Sequence, residues 1–385
     1  MSKWSRDRIN RRDFVRKVGL AGASLAGLGL LGCTPGAQAP APAPTTPPQA
    51  AATTPPKAAV TTVPSTATPK PAPVKVRIGH YSSSATSPEF IAFEKGYYKE
   101  QNLEVELVAF TGLMEMVPLL ASGELDEGTG AWAVAVINAV RRGIPMKLVA
   151  PGPTFKPPSF YVSVVVRKDL VASGAVKTIN DLKGRAFGLT SLRTINDVML
   201  DAIFASEKAT IRYPDDLNIV TLGFPDMYSA FANKSLDAAL VVEPHSSGLE
   251  KQGLAVRWKA PPAPTQTGSV IFSEKILKTP DVAGRLMLAR LKGGREYVDV
   301  FFKKKGKISD LAPIIAKYTP IKTLTDYEEM EMPYIDPNGR NDRQSLAASY
   351  KYFLDKGWLE GAIDLDSFID ESASAYAVKA LGEYV

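Results

Sequence analysis

From Thr34 to Pro73 the chain is almost wholly Pro, Ala and Thr, with Lys57 and Lys70 as its only charges, so this stretch has too little apolar surface to build a core. Folding is left to the residues from Val74 onward. A segment of this composition favours extended polyproline II and, at about 3.1 Å per residue, would serve as a tether up to ~100 Å long.

Residues 1–33 read as an address. Asn10-Arg11-Arg12-Asp13-Phe14-Val15-Arg16-Lys17 resembles the twin-arginine export motif. Val18 to Gly32 is uncharged and shorter than the ~20 residues a membrane-crossing helix needs, which suits a signal segment. It ends in Leu30-Leu31-Gly32-Cys33, which resembles a lipobox and implies cleavage before a lipidated Cys33; a plain secretory signal with an incidental cysteine is the alternative. Gly27-Leu28-Gly29-Leu30-Leu31-Gly32 matches the dinucleotide-binding spacing, but no strand precedes it and no βαβ unit follows, so no cofactor is expected. Ahead of Cys33 stand seven basic and two acidic residues, so this segment carries +5 of the chain's net +6. A mature protein near neutrality gives no ground for nucleic-acid binding. The lone cysteine excludes an internal disulfide.

At 385 residues the chain exceeds what one core supports, and two lobes are expected. From Val74, short apolar runs alternate with helical stretches, the pattern of an α/β fold with mainly parallel sheets flanked by helices. Strands are predicted at Val74–His80, Glu104–Phe110, Met146–Pro151, Tyr161–Arg167, Arg185–Leu189, Leu217–Thr221 and Ala238–Val242. A helix is predicted over Pro88–Glu100. After Pro280 helices dominate, over Val282–Lys304, Ile308–Tyr318, Asp342–Lys356 and Ser367–Leu381, and are expected to pack on the first lobe. Leu120 to Asp126 and Phe231 to Asp237 each pass from a helix to a strand through Leu-Asp, an echo expected if the two lobes repeat one unit.

Five motifs, in this order and spacing, resemble the solute-binding proteins of the nitrate, sulfonate, taurine and thiamine-pyrimidine-precursor group that serve ABC importers. They are Pro88 to Lys99, Ala121-Ser-Gly-Glu-Leu-Asp126, Arg142-Gly-Ile-Pro145, Asp181-Leu-Lys-Gly184, and Ser235-Leu-Asp-Ala238 followed by Val242-Glu243-Pro244. The resemblance implies a type II periplasmic-binding-protein fold, with two lobes hinged by two crossing strands and closing on a ligand. On that plan residues 1–33 are the signal, 34–73 the tether, 74–160 and 265–385 the first lobe, and 161–264 the second. A small-molecule ligand, an ABC permease and the membrane, reached through the lipid on Cys33, are the implied partners of a monomer on the outer face of the cytoplasmic membrane.

Ligands of open α/β sheets collect at the carboxyl ends of strands, which nominates the residues there. His80, Tyr81, Ser82 and Ser84 follow the first strand, as hydrogen-bond donors or as a capping turn. Phe110 and Thr111 close the second strand, and Trp132 follows the third as a stacking platform or a core anchor. Phe160 and Tyr161 lie at the passage between lobes. Thr190, Ser191, Arg193 and Thr194 put hydroxyls, helix amides and a guanidinium where an anion could sit, unless Arg193 pairs with Asp197. Tyr228, Glu243 and His245 complete the second rim; Glu243 either accepts from a ligand or caps the helix at Pro244. Asp126 and Asp237 read as structural turn residues. His80 and His245 lack the spacing of a metal site, and no metal is expected.

Arg193 points to an anionic ligand and the aromatics to a flat organic one. Three functions compete: delivery to an importer, reporting to a membrane sensor, and an enzyme like the pyrimidine-precursor synthases that share this general fold. The last resemblance implies a cysteine-rich active site, which the single Cys33 does not supply. A non-catalytic binding protein is the expectation.

Overall fold

The computed structural model describes residues 71–157 and 159–385; the export motif, Cys33 and nearly all of the Pro/Ala/Thr stretch lie outside them. Among the described residues no helix is long and apolar enough to cross a membrane.

Strands β1 (Val74–Tyr81), β2 (Leu103–Phe110), β3 (Glu127–Ala131) and β4 (Lys147–Pro151) precede a short β5 (Thr154–Phe155). They are followed by β6 (Val162–Arg167), β7 (Ala186–Leu189), β8 (Asn218–Thr221), β9 (Ala238–Val242) and β10 (Ala255–Lys259). A short β11 (Thr265–Gln266) and β12 (Gly268–Phe272) complete the set. The first sheet has the order β2-β1-β3-β12-β4 and the second β8-β7-β9-β6-β10. In each, the fourth strand arrives from the other half of the chain and runs antiparallel to its two neighbours, while the other four point one way. The two crossings meet as a ribbon, with Phe155 opposite Thr265 and Thr154 opposite Gln266. Val162 to Val166 are fully buried, as a strand covered on both faces requires.

The Leu-Asp echo is a structural repeat. In the first sheet the Asp126 carboxylate accepts from Arg77 N (2.8 Å) while Asp126 N donates to Arg77 O (2.9 Å). In the second, Asp237 accepts from Ala186 N (3.1 Å) and donates to Ala186 O (3.0 Å). Each Asp ties the entrance of a strand to its parallel neighbour, β3 to β1 in the first sheet and β9 to β7 in the second, a structural turn in both.

The predicted helix at Pro88–Glu100 is two helices, Ser87–Glu94 and Tyr97–Glu100, separated at Gly96, whose φ of 78° leaves the helical region. The long helix Pro280–Phe301 lies across the first of these so closely that a Cβ on Gly293 would stand 2.4 Å from Pro88 O. Ser367–Leu381 is likewise broken, into Leu365–Phe368 and Ser372–Leu381. One C-terminal helix departs from expectation: Arg343–Asp355 also reaches the second lobe, where Tyr352 Oη donates to Asp201 (2.5 Å) on the helix Ile195–Ser206.

Candidate ligand-binding cleft

Strands of both sheets end toward one cavity, whose empty space including its open mouth is ≈570 Å³. From the first sheet come Tyr81 at the end of β1, Thr111 to Met114 after β2, and Ala131 and Ala133 around the end of β3. From the second come Thr190, Ser191 and Thr194 after β7, Phe224 after β8 and Val242 at the end of β9. Tyr161 and Thr267, beside the crossing strands, and Asn196 and Met199, on the helix after Thr194, complete the lining. Hydroxyls therefore alternate with apolar groups, as in a site that holds a small organic molecule.

Two seams join the lobes around this cavity. On one side Val134 N donates to Arg193 O (3.0 Å) and Ile195 N to Trp132 O (2.8 Å), a short antiparallel bridge between lobes. On the other, the hydroxyls of Ser83 and Ser84 donate to Glu243 O (3.1 and 2.9 Å). There His245 Nε2 lies 3.0 Å from Ser82 O, and the ring stacks on Phe224 with centroids 4.5 Å apart. Nε2 faces a carbonyl and so carries the proton; burial holds the His245 pKa down to about 4, leaving the ring neutral. Burial also pushes Tyr81 and Tyr161 well above the usual phenol range, so both stay protonated as donors.

A family model described as NMT1/THI5 like matches residues 84–298, more than half of the chain. The chain belongs to the NMT1/THI5-like family. A Brucella abortus protein named as a binding protein is 28% identical to it over 173 residues, 43% of this chain and 47% of that one. The chain thus matches about half the length of that relative. Among solved structures, the alkanesulfonate-binding protein of Xanthomonas axonopodis pv. citri aligns with a TM-score of 0.57 at 17% identity, covering 78% of this chain and 99% of that one. The nitrate-binding protein of Synechocystis aligns at 0.61 and 14% identity, covering 80% and 89%. A desulfurization enzyme does so at 0.55 and 14%, covering 80% and 99%. These likenesses are of fold: the two-lobed, type II periplasmic-binding-protein architecture.

In this NMT1/THI5-like chain the cavity gathers Tyr81, Thr111, Tyr161, Thr190, Ser191 and Thr194 from the residues nominated by sequence. Ser82, Phe110 and His245 line an adjoining recess that shares Tyr81, Thr111 and Phe224 with it. The others stand elsewhere. Arg193 has a φ of 59° and lines a separate groove with Arg142, on the far side of Met114. Nor does it pair with Asp197, whose carboxylate instead accepts from Thr194 N (2.7 Å) and Tyr213 Oη (2.6 Å). Trp132 is fully buried and stacks on Phe368 at 5.8 Å, so it is a core anchor. Glu243, fully buried, accepts from Ser247 N and Oγ (3.2 and 2.7 Å) and pairs with Arg257 (3.2 Å), which makes it the cap of its helix. His80 packs edge-on against Phe90 and Tyr318. Ser84 is spent on the seam, Tyr228 packs behind His245, and Phe160 is not among the lining residues. Among the described residues no cluster of three metal-ligating side chains occurs.

Sequence reasoning did not nominate Leu113, Met114, Ala133, Asn196, Met199, Val242 and Thr267 as lining residues. The position of Asn196 two residues after the Thr194 cap was a usable signal; nothing in the sequence marks Met199 or Thr267.

Proposed function

We propose that this chain is the substrate-binding component of an ABC importer, a binding protein rather than an enzyme, which captures a small organic solute between its lobes and delivers it to a membrane permease. The observation that carries this is the hydroxyl-rich cavity built from strand ends of both sheets and flanked by two inter-lobe seams. The alkanesulfonate- and nitrate-binding relatives of the same fold support it. The β5–β11 ribbon is the natural hinge, with 74–160 and 265–385 as one lobe and 161–264 as the other.

Thermal unfolding of residues from Val74 onward against a panel of organic solutes tests the reading. A true ligand at a hundredfold excess over Kd stabilises by about 2.7 kcal/mol, and the shift should saturate. A Tyr161→Ala variant that still folds should lose it. A panel of importer substrates that leaves the melting curve unmoved, with no compound released on denaturation, would refute the proposal.

Lipidation of Cys33 after twin-arginine export, with residues 34–73 as tether, would place the cavity outside the cytoplasmic membrane. Cys33→Ser is then expected to move the protein from the membrane fraction to the soluble one; unchanged membrane fractionation would remove the anchor from the proposal.

A further inference from the structure

The chemistry of the cavity lining points to the charge of the solute. Nitrate and sulfonate are anions, and an ion moved from water into a closed cavity must find an opposite charge or an equivalent set of donors, because its lost hydration is large. None of the described residues lining the cavity has a charged side chain: the polar side-chain groups are the hydroxyls of Tyr81, Thr111, Tyr161, Thr190, Ser191, Thr194 and Thr267 and the amide of Asn196, beside the backbone amides at the start of the helix at Leu113.

Helix N-termini are the usual substitute for a cationic side chain, each equivalent to ~0.5 positive charge. Three helices start at the cavity, at Leu113, Ile195 and Phe224. Each already carries a carboxylate in its first turn: Glu115, Asp197 and Asp226 respectively. Glu115 accepts from the amide and hydroxyl of Thr111, itself a lining residue, and Asp197 accepts from Thr194 N at 2.7 Å. The amides of the second helix are also spent, Ile195 N on Trp132 O (2.8 Å) and Asn196 N on the Thr194 hydroxyl (3.2 Å). In the third, Pro225 has no N–H to offer. The fourth nearby helix start, at Val134, has its first amide on Arg193 O (3.0 Å).

The adjoining recess adds to this. Its one carboxylate is that of Glu115, and its histidine, His245, is turned by its Nε2 to Ser82 O rather than to the cavity. The exposed guanidinium of Arg193 belongs to the groove beyond Met114.

We infer that the solute this cavity takes is uncharged, an organic molecule with an apolar body and hydrogen-bonding substituents matched to the hydroxyl ring, and that anions of similar shape are rejected. The inference rests on the solute-binding reading above and adds the class of solute. Hydroxyls and an amide can donate or accept, so they satisfy neutral polar groups without a countercharge, and Leu113, Met199 and Phe224 cover the body.

Matched pairs of one shape and two charges test this: benzamide with benzoate, nicotinamide with nicotinate, and toluenesulfonamide with toluenesulfonate. Thermal shift and calorimetry at pH 7.5 follow each. The uncharged member of a binding pair should bind at least about tenfold tighter, with little dependence on salt. Thr190→Lys, at a half-buried rim position, should reverse the preference and make binding salt-sensitive; Ser191→Lys is the second variant should the first not fold. Tighter binding of the anionic members to the unaltered protein overturns the inference while leaving the solute-binding reading intact. Absence of binding by every pair, with no compound released after incubation with a metabolite extract, overturns both.

Discussion

Replacing Arg290 by Met is expected to destabilise the protein by about 3–5 kcal/mol, the cost of leaving a buried carboxylate without its partner. Arg290 sits in the long helix Pro280–Phe301 with its side chain 1% exposed, and Glu89, in the helix Ser87–Glu94, is fully buried. Arg290 Nε donates to Glu89 Oε1 (3.1 Å) and its terminal nitrogen to Pro151 O (3.2 Å), while Thr129 donates to the same Glu89 oxygen (2.7 Å). One guanidinium thus ties two helices to the carboxyl end of β4. Urea unfolding measures the loss. The double variant Glu89→Leu with Arg290→Met should regain most of it, since an apolar replacement of a whole buried pair is often close to neutral. A single-variant loss below about 1 kcal/mol would mean that the ion pair does not hold the helices in place.

A second carboxylate in the same cluster makes stability depend on pH. Glu127, at the start of β3, is fully buried with neither oxygen partnered, and burial followed by the charge of Glu89 pushes its pKa up to about 8, against the lowering influence of Arg290. Tyr98, whose hydroxyl is also buried without a partner, faces the cluster from the helix Tyr97–Glu100, and Asp126, paired with Lys275 at 2.9 Å, adjoins it. A carboxyl whose folded pKa lies above its unfolded value contributes stability that is full below about pH 4.5 and is lost as pH rises through about 8. His245 acts in the opposite sense: its depressed pKa of about 4 makes stability fall as pH drops below 6.5. The two slopes oppose each other below pH 6.5, so the Glu127 contribution stands clear between pH 6.5 and 8. There the unfolding free energy should fall by up to about 1.4 kcal/mol per pH unit. Glu127→Gln, which keeps the shape and removes the titration, should flatten this stretch of the profile. An unchanged slope in that variant would assign the pH dependence to another group.

Much of the order of elements was legible because it rests on local rules, although β5, β10, β11 and β12 were not among the predicted strands. Alternating apolar strands, Pro at helix starts and the Leu-Asp turns are set by backbone sterics and short-range hydrogen bonds, and the predicted strands fall within a residue or so of those observed. The break at Gly96 shows the limit of that reading. A glycine inside a helical pattern is compatible with both outcomes, and here its left-handed φ of 78° ends one helix and starts the next.

Where the inter-lobe cavity lies was also readable, since strand ends in such sheets lead to helix starts, and Tyr81, Thr111, Tyr161, Thr190, Ser191 and Thr194 were nominated on that ground. Side-chain direction was not. Arg193 and Thr194 are neighbours in sequence, yet the left-handed backbone at Arg193 and the inter-lobe bridge at Thr194 send Arg193 to an outer groove while Thr194 lines the cavity. Glu243 and Trp132 sit at equally suggestive positions but are claimed by a helix cap and by Phe368. The sequence by itself determined the lobes, the strand ends and the hydroxyls available there. Only the tertiary structure decided which charges face the cleft, because burial makes a charged group take the partner that best replaces its lost water, and that partner can lie anywhere in the chain.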